Sequence, residues 1–390
     1  MNPSADGWIK KLLKDVSKNE TYLHLPLNSF YYQLKLSGYV YGNNVNVLYN
    51  VFDKKDWTDE ELCKVNHVLA LYYIHRKVSP NEDFIESTIR FYKAVDDYKE
   101  SFILGILGKK QSSILLEGII HRRIHIDDNL ITKNFSYFIT NALLFIDVLA
   151  YQKFLKTSHI SDRYFKTMEL TVETIALTVF ELKVNKTKYD ESLIKLFESS
   201  LRYQYTKSKS YNDVVKYPKG PLEKYYCVDI ACMASWTDRQ IDHKELEFLD
   251  QLGNDLSLKS EVIQHAIADI NMFYIANKDH ITLLAKKNMV QSFYDNSSKM
   301  VMKLINRNSK RLLKELRESK ELMFLLTKST NRHLTDEEQK KVHEQLLDII
   351  KSIPSLAIFM LPGGAILLPL FVKFIPKLLP SSFDENRIED

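Results

Sequence analysis

The stretch 142–154 reads ALLFIDVLAYQKF, in which apolar side chains recur at helical spacing. No glycine or proline lies between Gly118 and Pro218, and none lies between Gly253 and Pro354. Tight turns usually recruit these two residue types, so runs without them disfavour a sheet of many strands. They favour helices joined by short polar connections. The sequence therefore predicts an all-α protein built of multi-helix bundles.

Two four-residue patterns mark expected helix starts. Thr58-Asp59-Glu60-Glu61 and Thr335-Asp336-Glu337-Glu338 each place a glutamate three residues after a threonine, which is the spacing of a capping box. Apolar residues follow the second pattern at helical intervals. These are Val342, Leu346, Ile349 and Ile350.

The composition of the 390-residue chain is that of a globular protein, with 45% hydrophobic and 27% charged residues. A net charge of +4 gives no general attraction to DNA, and three cysteines fit a reducing compartment. No glycine-rich phosphate loop and no nucleophile motif occurs in the sequence. We therefore expect a non-enzymatic protein in the cytoplasm, either free there or attached to or inserted in the inner membrane.

Residues 206–221 are polar, basic and rich in chain-breaking residues, which predicts a linker. The linker would separate an N-terminal helical domain, 1–205, from a second helical bundle, 222–352. A third region, 353–390, has a different composition, because half of the ten prolines fall between Pro354 and Pro380.

An acidic segment follows the apolar stretch 226–236. Hard cations favour several oxygen ligands, and four acidic side chains here could converge on a divalent cation. They are Asp229, Asp238, Asp242 and Glu245. The alternative is helix capping, since Asp242 and Glu245 have the spacing of a capping box. The spacing favours capping, and we expect no cofactor other than this divalent cation.

The same segment resembles the tellurite-resistance TerB-like family. The resemblance lies in Ala231, Ala234, Asp238, Ile241, Glu245, Phe248 and Leu249. It implies a compact helical bundle, which in some members carries a metal at these carboxylates. Arg239 stands where the family usually has glycine, so a cation lies beside the proposed ligands.

The stretch from Lys299 to Lys320 is a basic amphipathic pattern. On a helical wheel, seven basic residues fall in one sector and apolar residues lie opposite. Such a face is either a solvated surface or a binding site for an anionic partner, phospholipid headgroups or ribosomal RNA. We call these residues the basic stripe: Lys299, Lys303, Arg307, Lys310, Arg311, Lys314 and Arg317.

Residues 353–372 read IPSLAIFMLPGGAILLPLFV and carry no charge. A stretch of this length is long enough to span a bilayer as a helix. The prolines and the glycine pair disfavour one straight helix. We favour a broken helical hairpin buried on the bundle, with reversible membrane attachment as its variant and a membrane span as the alternative. The residues expected to pack or insert are Pro354, Phe359, Pro362, Gly363, Gly364, Leu367, Leu368, Pro369 and Phe383.

This C-terminal region, Gln345 to Phe383, resembles the membrane segment of the leucine-zipper/EF-hand transmembrane (LETM) family. The resemblance lies in Pro354, Phe359, Pro362, Leu367-Leu368-Pro369, Lys373-Phe374, Pro376 and Leu379-Pro380-Ser381-Ser382-Phe383. It implies inner-membrane insertion, cation/proton exchange and a ribosome-binding-like domain. Gly363-Gly364-Ala365 stands where the family carries an acidic residue, which disfavours exchange because an intramembrane carboxylate is the natural cation carrier.

A TerB-like bundle joined to this tail is similar to LETM-related, biofilm-associated bacterial proteins. The leading hypothesis is a non-enzymatic helical adaptor that attaches to an anionic surface, with membrane association through its tail. The first alternative is a ribosome-binding LETM-like factor, and the second is a cation/proton exchanger.

Overall fold

The computed structural model describes the residues that follow: 1–18, 20–49, 57–95, 112–124, 142–183, 186, 210–236, 241–277, 298, 301–302, 304–306, 308–332, 334–353, 356 and 368–375. Every regular element in these ranges is a helix, which confirms the predicted all-α class. Most of the apolar tail lies outside them. The hairpin and membrane-span alternatives for 353–372 therefore remain predictions.

The helices are numbered here in chain order, and a short 3-10 helix, Thr21–His24, lies between the first two. They are α1 (Trp8–Val16), α2 (Leu27–Leu36), α3 (Asp59–Val78), α4 (Phe84–Ala94), α5 (Ser112–Ile124), α6 (Phe145–Thr157), α7 (Asp162–Leu182), α8 (Tyr211–Val214), α9 (Pro221–Ser235), α10 (His243–Asp255), α11 (Ser260–Asn277), α12 (Ser309–Glu318), α13 (Lys320–Asn331), α14 (Asp336–Ser352) and α15 (Leu368–Phe374).

The helices fall into two compact units. Unit 1 contains α1 to α11, and unit 2 contains α12 to α15. The helices on the two sides of residues 206–221 belong to the same unit, because α7 packs against α9. The domains expected from composition, 1–205, 222–352 and 353–390 with a linker at 206–221, stay a prediction.

Two central helices organise unit 1. Helix α3 packs against α5 and α6, and helix α9 packs against α7, α10 and α11. Helix α3 begins with the predicted capping box, in which the Thr58 side chain accepts from the Glu61 backbone N–H and Glu61 accepts from the Thr58 backbone N–H. Because this box joins residues three apart, local sequence is enough to specify it.

Unit 2 has a core formed by α12, α13 and α14, each of which packs against the other two. Helix α14 begins at the second predicted capping box, Thr335 with Glu338. The apolar stripe predicted for this helix, Val342, Leu346, Ile349 and Ile350, is buried. Each of these three helices therefore directs one apolar side to a shared core and leaves its polar side in solvent.

Candidate functional site

Helix α12 presents the described part of the basic stripe to solvent. Its apolar side is anchored by Leu312 and Leu316, both fully buried. The four stripe residues that the structure describes lie on the exposed side: Lys310, Arg311, Lys314 and Arg317. The other three, Lys299, Lys303 and Arg307, fall outside the described ranges.

Arg311 differs from the other stripe residues that the structure describes because its side chain has a partner inside unit 2. Its Nη2 donates a 2.6 Å hydrogen bond to the backbone oxygen of Ser352, the last residue of α14. The last carbonyls of a helix lack intrahelical partners and carry partial negative charge, so a guanidinium is well placed there. Arg311 therefore joins the basic helix to the residue that directly precedes the apolar tail.

The side chains of Lys310, Lys314 and Arg317 form no hydrogen bond or ion pair with any residue that the structure describes. Lys310 and Lys314 are four residues apart on one helix, where like charges destabilise each other. Nearby positive charges with no internal partner attract anions, and an arginine can bind a phosphate through two parallel hydrogen bonds. This face can therefore bind a polyanion without first breaking a side-chain contact to any of the described residues.

The charges on α13 and α14 are, by contrast, largely paired. Glu338 contacts Lys328 at 2.5 Å and Arg332 at 2.9 Å. The hydrogen bond from Lys328, together with the backbone N–H of Thr335 and the Arg332 guanidinium, lowers the pKa of Glu338 to about 2. Glu321 likewise contacts Lys341 at 3.0 Å. Among the described residues of unit 2, most cations without an ion-pair partner therefore lie on α12.

The acidic residues proposed as metal ligands are engaged in other contacts where they are described. Asp242 is the N-cap of α10: its Oδ1 accepts from the Glu245 backbone N–H, and Glu245 Oε2 accepts from the Asp242 backbone N–H, both at 2.9 Å. Buried Asp229 accepts from the Tyr31 hydroxyl at 2.8 Å. Asp238 lies outside the described residues. Within the described ranges, no group of three or more His, Cys, Asp or Glu side chains is arranged to hold a metal.

The described part of the tail is the short helix α15. Leu368 and Pro369 are its first two residues, where a proline is tolerated because its missing N–H has no helical partner. Leu370, Phe371 and Val372 are buried. The remaining tail residues named above, Pro354, Phe359, Pro362, Gly363, Gly364, Leu367 and Phe383, fall outside the description. Among the helices that are described, none is long and apolar enough to cross a bilayer.

Sequence reasoning missed a buried polar network in unit 1. The Asp147 carboxylate accepts two hydrogen bonds from Arg123, at 2.6 and 2.7 Å, and one from the Tyr92 hydroxyl at 3.2 Å. The Tyr92 hydroxyl also contacts His67 Nε2, and His67 Nδ1 contacts the Tyr39 hydroxyl. The signal that could have revealed it is a single charge within an apolar stretch, such as Asp147 in 142–151.

Burial decides the chemistry of this network. His67 and Asp147 are fully buried and Arg123 is 4% exposed. Desolvation lowers the pKa of His67 to about 4, against the opposing effect of Asp147, so the imidazole is neutral at pH 7. The network fixes α3, α4, α5 and α6 against one another.

Comparison with known proteins bears on the C-terminal region. The family described as "LETM1-like, RBD" matches residues 334–390. No curated protein and no solved structure matches the chain. The LETM likeness expected for Gln345 to Phe383 is thereby confirmed, and the matched description names the RBD rather than a membrane segment. The likeness to the TerB-like family stays a prediction.

The fold and these likenesses define a class: an all-α protein with a LETM1-like C-terminal region. The match covers α14 and α15 and begins three residues after the end of α13. The described part of the basic stripe lies in the same compact unit as the matched region.

Proposed function

We propose that this protein binds ribosomes and that the basic stripe on α12 contacts ribosomal RNA. The observation that supports the proposal most is the set of three exposed cations, Lys310, Lys314 and Arg317, that have no partner among the described residues. They lie in the unit whose C-terminal part resembles the LETM1-like RBD, a ribosome-binding domain.

The spacing of these cations suits a nucleic-acid backbone. From Lys310 to Arg317 the helix rises roughly 10 Å, at about 1.5 Å per residue. Phosphate contacts supply most of the sequence-independent affinity for RNA and make it dependent on salt. Arg311 positions the stripe rather than binding RNA itself, because its hydrogen bond to the Ser352 backbone oxygen holds α12 against the end of α14.

Attachment to an anionic membrane is the second candidate. It rests on the uncharged stretch 353–372 and on the same basic stripe, since basic residues are also attracted to anionic lipid. The family match favours the ribosome as the anionic surface. Cation/proton exchange stays the least favoured function, because Gly363-Gly364-Ala365 supplies no carboxylate.

The test is co-sedimentation of the full chain with purified ribosomes and, separately, with phosphatidylglycerol vesicles. We compare wild type with the triple variant Lys310→Glu, Lys314→Glu and Arg317→Glu, the stripe variant. The control, with the same change in net charge, reverses exposed lysines of unit 1: Lys11→Glu, Lys14→Glu and Lys216→Glu.

We expect wild type and the unit 1 control to sediment with ribosomes and the stripe variant to stay in the supernatant. If the stripe variant binds ribosomes as well as wild type does, the basic stripe is not the ribosome-binding surface. Wild-type binding to vesicles without binding to ribosomes would replace the proposed function with the second candidate.

A further inference from the structure

Phe324 is a large hydrophobic side chain on α13 that unit 2 leaves in solvent, with 63% of its surface exposed. The opposite side of the helix carries Leu322 and Leu326, which are fully buried. In the part of unit 2 that the structure describes, no other large hydrophobic side chain is exposed. The ring therefore stands alone on a polar surface.

Two lysines flank the ring. Lys320 and Lys328 lie four residues before and after Phe324, so the three side chains share one helix face. The Lys328 Nζ lies 5.5 Å from the ring centroid, within cation–π distance. Glu338 accepts from the same Nζ at 2.5 Å, which holds the ammonium beside the ring. Lys320 is exposed and forms no contact of this kind with any described residue.

Helix α13 follows the basic helix α12 directly in the chain. Helix α12 ends at Glu318 and α13 begins at Lys320, so Arg317 lies three residues from Lys320. Ser319, between the two helices, accepts from the Leu322 backbone N–H at 3.3 Å and donates to Gln345 Oε1 at 2.8 Å. The junction is therefore held to α14, and the positions of Arg317 and Lys320 are fixed relative to each other.

We propose that Phe324 is a stacking platform for one unpaired base of the RNA that the basic stripe binds, with Lys320 contacting an adjoining phosphate. The inference rests on the proposed function and names its partner more closely, as RNA with an unpaired segment. Aromatic rings stack on any base, and cations beside the ring track the backbone. Interleaved aromatic and basic residues are the usual construction of surfaces that bind single strands.

A lipid surface fits this face less well. Helices that lie on membranes bury a broad apolar side with several large residues. Here one ring stands between two lysines, and in the described part of unit 2 no second large hydrophobic side chain is exposed beside it. One isolated ring matches one base.

The experiment measures the affinity of the full chain for a fluorescent oligoadenylate and for an RNA duplex of equal length. Three variants are compared with wild type: Phe324→Ala, Phe324→Leu and Phe324→Trp. Leucine keeps apolar area without a flat π face, whereas tryptophan supplies a larger one. Because Phe324 is mostly exposed, all three should keep the wild-type melting temperature.

We expect Phe324→Ala and Phe324→Leu to bind the single strand about 5- to 150-fold more weakly, the range for loss of one base–aromatic stack. Duplex binding should change little. Phe324→Trp should keep the single-strand affinity, and its indole fluorescence should be quenched on binding.

Wild-type affinity of Phe324→Leu for the single strand would overturn the platform. So would a loss of vesicle binding by Phe324→Ala with unchanged RNA binding, which would identify lipid as the partner. If the stripe variant loses RNA binding while Phe324→Leu keeps it, the platform alone fails. If wild type binds neither RNA, the platform fails, and the ribosome co-sedimentation decides separately whether the proposed function fails as well.

Discussion

Unit 1 and unit 2 handle charge in opposite ways. In unit 1, single charged residues in the core join several helices: Lys35 of α2 contacts Asp229 of α9 at 3.0 Å and Asp269 of α11 at 2.5 Å. In unit 2, the ion pairs that the structure describes lie nearer the surface, and three cations of α12 have no described partner. Unit 1 uses buried charge to fix its own helices, whereas the described part of unit 2 leaves charge exposed to solvent.

The difference has an energetic basis. A buried ion pair must recover the cost of removing two charges from water, and removal of one partner leaves a buried charge alone. An exposed charge has little such cost, so its loss changes binding far more than stability. The two units should therefore respond to mutation through different observables.

The largest expected effect comes from the Asp147→Asn substitution in unit 1. It keeps the shape of the side chain but removes the negative charge that accepts two hydrogen bonds from the buried Arg123 guanidinium. We expect unit 1 to lose about 3–5 kcal/mol of unfolding free energy, the usual cost of breaking a buried pair. Urea unfolding followed by circular dichroism measures it.

The matched control for this prediction is Lys18→Ala, which removes the exposed Lys18–Asp15 pair of the same unit. It should leave the urea midpoint almost unchanged. Equal midpoints for Asp147→Asn and the control would show that the buried pair does not fix the helices.

The second effect concerns pH, and each unit supplies one test residue. Burial lowers the pKa of His67 in unit 1 and of His343 in unit 2 to about 4. In the unfolded chain a histidine binds its proton near pH 6.5, so between pH 6.5 and 4 the unfolded state binds more protons. Each neutral, buried histidine therefore leaves the folding free energy unaffected by pH above 6.5, and the protein loses stability as the pH falls from 6.5 to 4.

The expected loss is up to about 3 kcal/mol for each histidine. NMR titration of a histidine-labelled chain measures the two pKa values directly. Single substitutions at the two positions assign the signals. A midpoint near 6.5 for His67 would mean that the network in unit 1 is open to water.

A smaller effect is expected for helix caps. Asp242→Ala removes the N-cap of α10, which typically costs about 0.5–2 kcal/mol. Thr335→Ala removes the N-cap of α14 in unit 2 and serves as the matched case. Thermal unfolding with calcium, with magnesium and with a chelator measures both variants.

We expect both cap variants to melt at lower temperature by the same amount in all three conditions. If calcium or magnesium stabilises wild type and Asp242→Ala abolishes that response, Asp242 is a metal ligand and the capping account of this loop is wrong.

Local features of the fold could be predicted from the sequence because their cause is local. The boxes at Thr58 and Thr335 join residues three apart, and the absence of glycine and proline disfavours turns over long runs. The exposed stripe residues of α12 follow from helical periodicity, which sequence also displays.

Contacts between distant residues could not be predicted in this way. Arg311 and Ser352 are 41 residues apart, and Arg123 and Asp147 are 24 apart. Sequence shows Arg311 as one of seven similar cations, whereas the structure assigns it a partner in α14. Phe324 was missed because its exposure depends on which side of α13 faces the core.

The central claim is that the exposed cations of α12, Lys310, Lys314 and Arg317, bind ribosomal RNA. Its most direct test is the affinity of the full chain for ribosomes across a salt series, for wild type and the stripe variant. We predict that wild-type log K falls linearly with log salt, and that the stripe variant binds more weakly with a slope shallower by about 2, at about 0.7 per single-strand phosphate contact. Equal slopes and equal affinities for the two proteins would contradict the account.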